Sequence, residues 1–507
     1  MMKKLDYSMI KGYANKTNLV LPNENQNSSK EKVLQFGTGV LLRGLPDYFI
    51  DKANSEGRFN GRIVVVKSTG SGDTKIFDEQ DCLYTINVKG VENGVIVDRL
   101  NINSSISRVL SATNQWNEIL ACAENPEMQI VISNTTEVGI SLTDDNINSN
   151  PPISFPGKLL SFLFHRYTYF GGTDDSGMVI LPTELISNNG EQLLNILLAL
   201  SSKNNLGNGF ITWLSKTNHF CNTLVDRIVP GKLGIEDQTK IFEQLGYQDE
   251  LMIMAEPFSL WAIESNSAKV KSILSFVDEK NGCIVVPNIE KFKELKLRLL
   301  NGSHSFTCGL AFLAGFEFVR STMKDQSFLS FIRNLAYAEI VPTISGNLIK
   351  TEEAEQFAFN VLERFSNPFI DHKWSSIAVQ YSSKMRMRNI SLLVGYYQRK
   401  NSFPPFMALG FAGFLLYMKS KETSPGVFEG HSQGIDYVVN DDHAAYFSRL
   451  WNSHGIDDIV RVILSDIDFW GHDLMQIVGF EKEVTKNLQH FMEKGVLHII
   501  STISKMP

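Results

Sequence analysis

The junction EKVLQFGTGV (31–40) constrains the fold most: an apolar, strand-like run leads into Gly37-Thr38-Gly39, and a helix-like stretch follows. A strand, a G-x-G turn and a helix make half of a dinucleotide-binding fingerprint. Its glycines let the backbone turn sharply and approach a pyrophosphate at a helix N-terminus. The third glycine is absent, because Leu42 takes its place. Three more apolar runs follow, GRIVVVK (61–67), MQIVIS (128–133) and GMVILP (177–182). Successive Val and Ile mark strands buried on both faces, as in a parallel sheet. CLYTINVKG (82–90) and GVIVDRLNI (94–102) read as an added hairpin, and AEPFSLWAIE (255–264) and GCIVVPNI (282–289) as further strands.

Pro287 closes this β-rich part. From 291 onward the periodicity is helical, as in EEAEQFAFNVLERF (352–365), and no further G-x-G occurs. The expected architecture is α/β: a Rossmann-like dinucleotide-binding domain with added strands over 1–287, then a mostly α-helical domain over 288–507. Residues 1–30 read as a surface arm.

The net charge of −7 supplies no basic footprint for nucleic acid. It supplies no global attraction for an anion either, so an anionic substrate needs a local cationic pocket. The five cysteines are scattered without C-x-x-C spacing, which suits reduced thiols in a cytoplasmic protein and gives no zinc motif. His443, His454 and His472 lie too far apart to read as a metal site. The N-terminus has charge but no apolar core, so no signal peptide is expected. The longest apolar run, Pro404 to Met418, is too short for a membrane span and reads as a buried helix. Nothing marks a self-complementary surface, and no oligomeric state is expected over another.

The chemistry-bearing stretch is KFKELKLRLLNGSHSF (291–306), with Lys296, Asn301 and His304. On an α-helix Asn301 falls about 140° and His304 about 80° from Lys296, so all three can face one cleft. A lysine, an amide and an imidazole on one wall suit proton transfer to a substrate oxygen and stabilisation of an alkoxide. Three solvated residues on an amphipathic helix are the alternative. Gly302 argues for the close approach of another group, since glycine weakens a helix by about 1 kcal/mol relative to Ala.

KLRLLNGSH resembles the K-x-x-x-x-N-x-x-H signature of the polyol-specific long-chain dehydrogenases, the mannitol dehydrogenase family. FGTGVLLRG (36–44), QDCLYTINVKG (80–90), NPEMQIVISNTTEVGIS (125–141), LPTELISNNG (181–190) and NTLVDRIVPG (222–231) resemble the branch acting on keto-hexuronates. The likeness implies reversible hydride transfer between NAD(H) and a keto group. It implies Lys296 as general acid and base, Asn301 as donor to the alkoxide, His304 as orienter of Lys296 or binder of a neighbouring hydroxyl, and Glu137 as a proton relay. Phe36, Gly37, Thr38, Gly39 and Arg43 are then expected at the cofactor, with Asn134 at the nicotinamide ribose. The second strand ends Val66-Lys67-Ser68 instead of in an acidic residue. Lys67 can take the 2′-phosphate of NADP or lie exposed; NAD is expected because relatives with a basic residue here use it.

The family's C-D-N motif is replaced by Glu184-Leu185, which fits the uronate branch and leaves Asn301 as the main amide donor. Glu184 and Asn222 are expected at the substrate. Lys384 matches the family's substrate-anchoring lysine. Ser376 stands where mannitol-type enzymes carry an arginine, so Arg386 or Arg388 is expected to hold a sugar-acid carboxylate; a solvated charge run is the other reading. The expected partner is thus a small sugar acid, with no nucleic acid and no membrane. Reduction of fructuronate or of a free ketose, a non-catalytic dinucleotide sensor, and a sugar isomerase or dehydratase are the competing functions.

Overall fold

A computed structural model describes residues 2–11, 13, 19–23, 29–68, 74–135 and 139–503. The chain forms two compact units: residues 1–90 with 96–289, and residues 290–507 with 91–95.

The first unit is built on a six-stranded sheet of β1 (Lys30–Phe36), β2 (Gly61–Lys67), β3 (Ile106–Ser111), β4 (Ile130–Ser133), β5 (Val179–Pro182) and β6 (His219–Phe220). The spatial order is β3-β2-β1-β4-β5-β6 and every pairing is parallel. This is the order of a doubly wound dinucleotide-binding sheet, which reverses direction at β1.

The apolar runs follow from burial on both faces. Val33, Ile63 and Val65 point into one core cluster with Phe49, Ile50 and Ala53. Their neighbours Leu34, Val64 and Val66 point into another with Leu160, Leu163, Leu193 and Leu197. The covering helices are α1 (Val40–Gly44) and α2 (Pro46–Ser55) on the first side, and α3 (Phe155–Phe170) and α4 (Asn189–Lys203) on the second. The edge strand β3 was not anticipated; ISRVLS is only half-buried and carries no long apolar run.

The added strands form two smaller sheets. Tyr84–Glu92 and Val95–Asn103 are neighbours in a four-stranded sheet, joined by Asn93 and Gly94, both at positive φ. Such a two-residue link matches the twist of a hairpin. The strands in 223–226, 260–264 and 283–286 form a three-stranded sheet.

The second unit is helical, as expected, with one correction. Lys421–Ser424, Val427–Ser432 and Ile435–Val438 form a three-stranded antiparallel sheet in a region read as helical throughout. Gln433 and Gly434, both at positive φ, make the two-residue link that closes Ser432 onto Ile435. The elements used below are α5 (Ser303–Leu313), α6 (Thr351–Phe365), α7 (Tyr381–Arg388) and α8 (Pro405–Tyr417). α8 is the buried apolar helix expected from 404–418. Among the described residues, no helix is long and apolar enough to cross a membrane. All five cysteines are buried and unpaired.

Candidate active site

In the first unit, β1 ends in the glycine turn. Gly37 has φ +124°, and its N–H donates to the Val66 carbonyl at 3.0 Å. A Cβ there would lie 2.9 Å from Leu42 Cδ1 and 3.1 Å from the Asn134 carbonyl. Leu42, standing where the fingerprint has its third glycine, is thus one reason the first glycine is required. A Cβ on Gly39 would meet nothing within 4 Å, so the N-terminus of α1 opens onto free space. A glycine turn with open space over a helix N-terminus, at the point where strand order reverses, fits a dinucleotide pyrophosphate. Thr38 lies half-buried in the turn and Lys67 half-buried at the end of β2.

Asn134, just past β4, donates from Nδ2 to the Thr183 carbonyl at 3.1 Å and to its Oγ1 at 3.0 Å. Its own N–H donates to the Phe36 carbonyl at 3.2 Å, which ties it to the glycine turn.

Four residues expected at the ligands in this unit are committed elsewhere. The Phe36 ring is fully buried edge-on to Phe155 at 5.2 Å, so only its backbone belongs to the turn. Arg43 is turned into the core, where Nη1 donates to the Leu251 carbonyl at 2.5 Å and the guanidinium lies over the Tyr84 ring. A cation spent on a buried carbonyl is not available to phosphates. The Glu184 carboxylate is buried and accepts from the Thr135 N–H at 2.9 Å, Thr135 Oγ1 at 3.1 Å and Ser133 Oγ at 3.2 Å. It pins the loop after β4 to the end of β5; burial pushes its pKa up against those hydrogen bonds. Asn222 has both ends of its amide engaged, donating to Glu264 Oε1 at 3.1 Å and accepting from the Glu191 N–H at 3.2 Å. Glu137 lies outside the described residues.

Behind the glycine turn sits a buried polar group that sequence reading did not find. Gln35 Nε2 lies 3.4 Å from Asp47 Oδ2 and 3.5 Å from the Gly37 carbonyl, and the Tyr84 hydroxyl lies 3.3 Å from the same Asp47 oxygen. Asp47 Oδ1 has no partner. Burial pushes the Asp47 carboxyl up to about 7.

In the second unit, Lys296 and Asn301 lie on a π-helical segment, Lys296–Gly302, which runs directly into α5, where His304 lies. This corrects the α-helical angles used above. A π-helix bonds i to i+5, so each turn is wider and Asn301 stacks nearer to Lys296 than about 140° implies. Such segments are frequent at functional sites. Gly302 ends it where a Cβ would sit 3.3 Å from Leu392 Cδ1, and its carbonyl accepts from Asn389 Nδ2 at 3.0 Å. The anticipated close approach is therefore made by the segment after α7. Lys296 and Asn301 are half-buried, and the Asn301 carboxamide hydrogen-bonds to no described residue.

His304 is 7% exposed. Its ring stacks on Phe365 at 4.1 Å and meets His372 and Trp374 edge-on at 5.3 and 6.0 Å. Its Nε2 has no partner, and no hydrogen bond joins it to Lys296. Burial, then the charges of His372, Arg388, Arg364 and Lys384, hold its pKa well below the ordinary imidazole value. The ring is therefore neutral at pH 7.

α7 supplies the cations. Lys384 and Arg388 are four residues apart and share a face. Lys384 Nζ donates to the Ile377 carbonyl at 2.8 Å, and Arg388 Nη1 donates to Ser305 Oγ at 3.2 Å. Burial lowers the pKa of both. Arg386, two residues from each, points the other way and is exposed, so it is excluded from this cluster. Sequence reading missed Arg364, Phe365, His372 and Trp374. The run His372-Lys373-Trp374 is their only local signal, because α6 and the loop after it reach the site through tertiary packing.

A doubly wound sheet with a glycine turn, followed by a helical unit that carries Lys296, Asn301 and His304 along one continuous helical run, is the plan of a two-unit dinucleotide-type dehydrogenase. Sequence comparison agrees: residues 31–274 match the mannitol dehydrogenase Rossmann domain and residues 288–492 the mannitol dehydrogenase C-terminal domain. The chain belongs to the mannitol dehydrogenase family of oxidoreductases. It is 34% identical to an altronate oxidoreductase of Halalkalibacterium halodurans over 482 residues, 93% of each chain. It is 33% identical to an altronate oxidoreductase of Escherichia coli over 475 residues, 92% of this chain and 95% of that one. Among solved structures it is similar in fold to a D-sorbitol dehydrogenase in substrate-free form (TM-score 0.82, 21% identity, 98% of this chain and all of that one). It is also similar to the Pseudomonas fluorescens mannitol 2-dehydrogenase in ternary complex with NAD and D-mannitol (TM-score 0.68, 20% identity, 99% of this chain and all of that one).

Proposed function

We propose that the protein is an NAD-dependent reductase of a keto-hexuronate, converting D-tagaturonate to D-altronate reversibly. The observation that carries this reading is the cationic face of α7, Lys384 with Arg388, beside the neutral, unpartnered His304. Two partly desolvated cations on one helix face suit a sugar-acid carboxylate, and the arginine stands on α7 instead of at Ser376, the position where mannitol-type enzymes carry theirs. The similarity to two altronate oxidoreductases supports the same substrate class.

The glycine turn, the N–H groups at the start of α1, Asn134 and Lys67 would hold the dinucleotide, which supplies hydride when bound. Lys296 gives its ammonium proton to the substrate carbonyl oxygen during reduction and takes it back during oxidation. Asn301, whose amide hydrogen-bonds to no described residue, donates to the same oxygen and stabilises the alkoxide. His304 offers Nε2 to a neighbouring hydroxyl, and its neutral state lets that atom accept or donate. Lys384 and Arg388 take the carboxylate.

The test is NADH oxidation followed by absorbance with D-tagaturonate, D-fructuronate and D-fructose, repeated with NADPH. D-tagaturonate with NADH is expected to give the highest kcat/KM; preference for a neutral ketose would refute the reading. Lys296→Ala is expected to lose about 10³-fold in turnover while binding NADH within twofold of wild type. Activity within tenfold of wild type would remove Lys296 from the chemistry.

A further inference from the structure

Ser305 closes the motif Asn301-Gly302-Ser303-His304-Ser305, and the mechanism above gives it no task. It lies in the first turn of α5, fully buried, with a polar contact on each side. Its Oγ donates to the Asn301 carbonyl at 3.0 Å, one turn back on the same helical run. The same oxygen accepts from Arg388 Nη1, on α7, at 3.2 Å. A serine hydroxyl carries one proton, so donation to Asn301 fixes its polarity and leaves the lone pairs for Arg388. Among the described residues, this oxygen is the hydrogen-bond partner of the Arg388 guanidinium, and no carboxylate pairs with that cation.

The two backbones around this contact are tied together independently. Arg298 Nη1, on the π-helical segment, donates to the Met387 and Arg388 carbonyls at 3.1 and 2.8 Å and so satisfies the open C-terminus of α7. Glu294 answers the charge of Arg298, with Oε2 3.0 Å from Nε. From the other side, Asn389 Nδ2 donates to the Gly302 carbonyl at 3.0 Å. With both backbones held, the freedom that remains is the direction of the long Arg388 side chain. Ordering such a chain costs rotamer freedom, and a contact made before the substrate arrives lowers what binding must supply.

We infer that Ser305 is a positioning residue, whose hydroxyl aims the Arg388 guanidinium so that its other N–H groups receive the substrate carboxylate. The inference rests on the keto-hexuronate reading above. A guanidinium is a rigid fork of five donors. With one Nη1 hydrogen held by Ser305, the Nε and Nη2 edge is left for a bidentate grip on a carboxylate. A serine is neutral, so it orients the cation without neutralising it, as an aspartate or glutamate at the same place would. Ser305 itself touches neither substrate nor cofactor in this scheme. Because the same hydroxyl holds the Asn301 carbonyl, the carboxylate grip and the alkoxide donor share one point of reference.

The experiment is steady-state kinetics at saturating NADH with D-tagaturonate and with the neutral ketose D-tagatose. Ser305→Ala is expected to raise KM for D-tagaturonate about tenfold, the size of a lost hydrogen bond to a charged group. Its kcat should stay within about threefold, and kcat/KM for D-tagatose within about twofold. A serine of structural role alone would instead lower kcat for both sugars. The decisive readout is a double-variant cycle that needs only D-tagaturonate. In an Arg388→Ala background, Ser305→Ala should change kcat/KM by less than about twofold, because the side chain it aims is gone. An unchanged KM in Ser305→Ala, an equal loss with both sugars, or a tenfold loss that persists in the Arg388→Ala background overturns the inference. If Ser305→Ala does not fold, Ser305→Cys takes its place, since a thiol accepts only weakly: it should show the same rise in KM for D-tagaturonate, and a wild-type KM overturns the inference. A wild-type enzyme that prefers D-tagatose refutes the keto-hexuronate reading itself. One that prefers D-tagaturonate and is matched by Ser305→Ala refutes only the role of Ser305.

Discussion

Neutralising Asp47 should flatten part of the pH dependence of stability. Its carboxylate is fully buried on α2, its two side-chain contacts are long at 3.3 and 3.4 Å, and Oδ1 has none. Desolvation therefore outweighs the hydrogen bonds and Arg43, and the folded pKa rises from 3.8 to about 7. In this window the native state binds more protons than the unfolded chain, so stability falls as pH rises. The contribution is fully retained below the unfolded value near 4 and lost by the folded value near 7. That gap corresponds to about 4 kcal/mol. Asp47→Asn leaves an amide N–H₂ at the unpartnered position, a cost of about 1–3 kcal/mol that does not vary with pH. The diagnostic is thus slope and not absolute stability. Denaturant unfolding of both proteins from pH 4 to pH 8 should show the wild-type curve falling by about 4 kcal/mol relative to the variant. Asp51, pushed to about 6 by burial, titrates in both proteins, and its charge is one of the smaller causes that raise Asp47. A difference flat to within about 0.5 kcal/mol, well under the linkage estimate, would refute the argument that this carboxyl is held uncharged.

Arg388→Ala and Lys384→Ala should each raise KM for a uronate by about ten- to a hundredfold, and that for a neutral ketose much less; Arg386→Ala, on the exposed side of α7, should stay within twofold for both in steady-state assays. Gly37→Ala forces a side chain into φ +124° and against Leu42 and Asn134. It should cost about 1–3 kcal/mol of stability and weaken NADH binding measured by fluorescence titration. Glu339→Ala removes the buried carboxylate that accepts the Phe406 and Met407 N–H groups at 2.7 Å each, at the start of α8. Denaturant unfolding should show a loss of about 2–4 kcal/mol, since one buried and one half-buried donor lose their acceptor.

The parallel sheet was legible because both of its faces are buried: alternate residues such as Val33 and Leu34 enter different cores, so the runs lose their polar half. The half-exposed edge strand Ile106–Ser111 and the exposed sheet over 421–438 left no such mark. For the candidate site, Lys296, Asn301, His304, Lys384 and either Arg386 or Arg388 could be put forward from local spacing and resemblance. What local spacing could not supply was direction. Arg43 lies just past a phosphate-type turn but points into the core, where a carbonyl and an aromatic face receive it. Glu184 sits at the carboxyl end of a strand, where ligands are expected, yet the hydroxyls and N–H of the adjoining loop claim it. His372 and Arg364 reach His304 only because α6 packs beside α5.

The wide turn between Lys296 and Gly302 also limits how this protein can be rebuilt. A π-turn accommodates a residue that a regular helical turn does not, so shortening the loop-free run by a single position would let it relax into an ordinary α-helix. The flanking residues would keep their register, His304 with its stack on Phe365 included, while Lys296 and Asn301 would lose the i to i+5 alignment that the wide turn gives them. Chimaeras joined anywhere from 296 to 302 must therefore inherit the whole seven-residue piece from one parent.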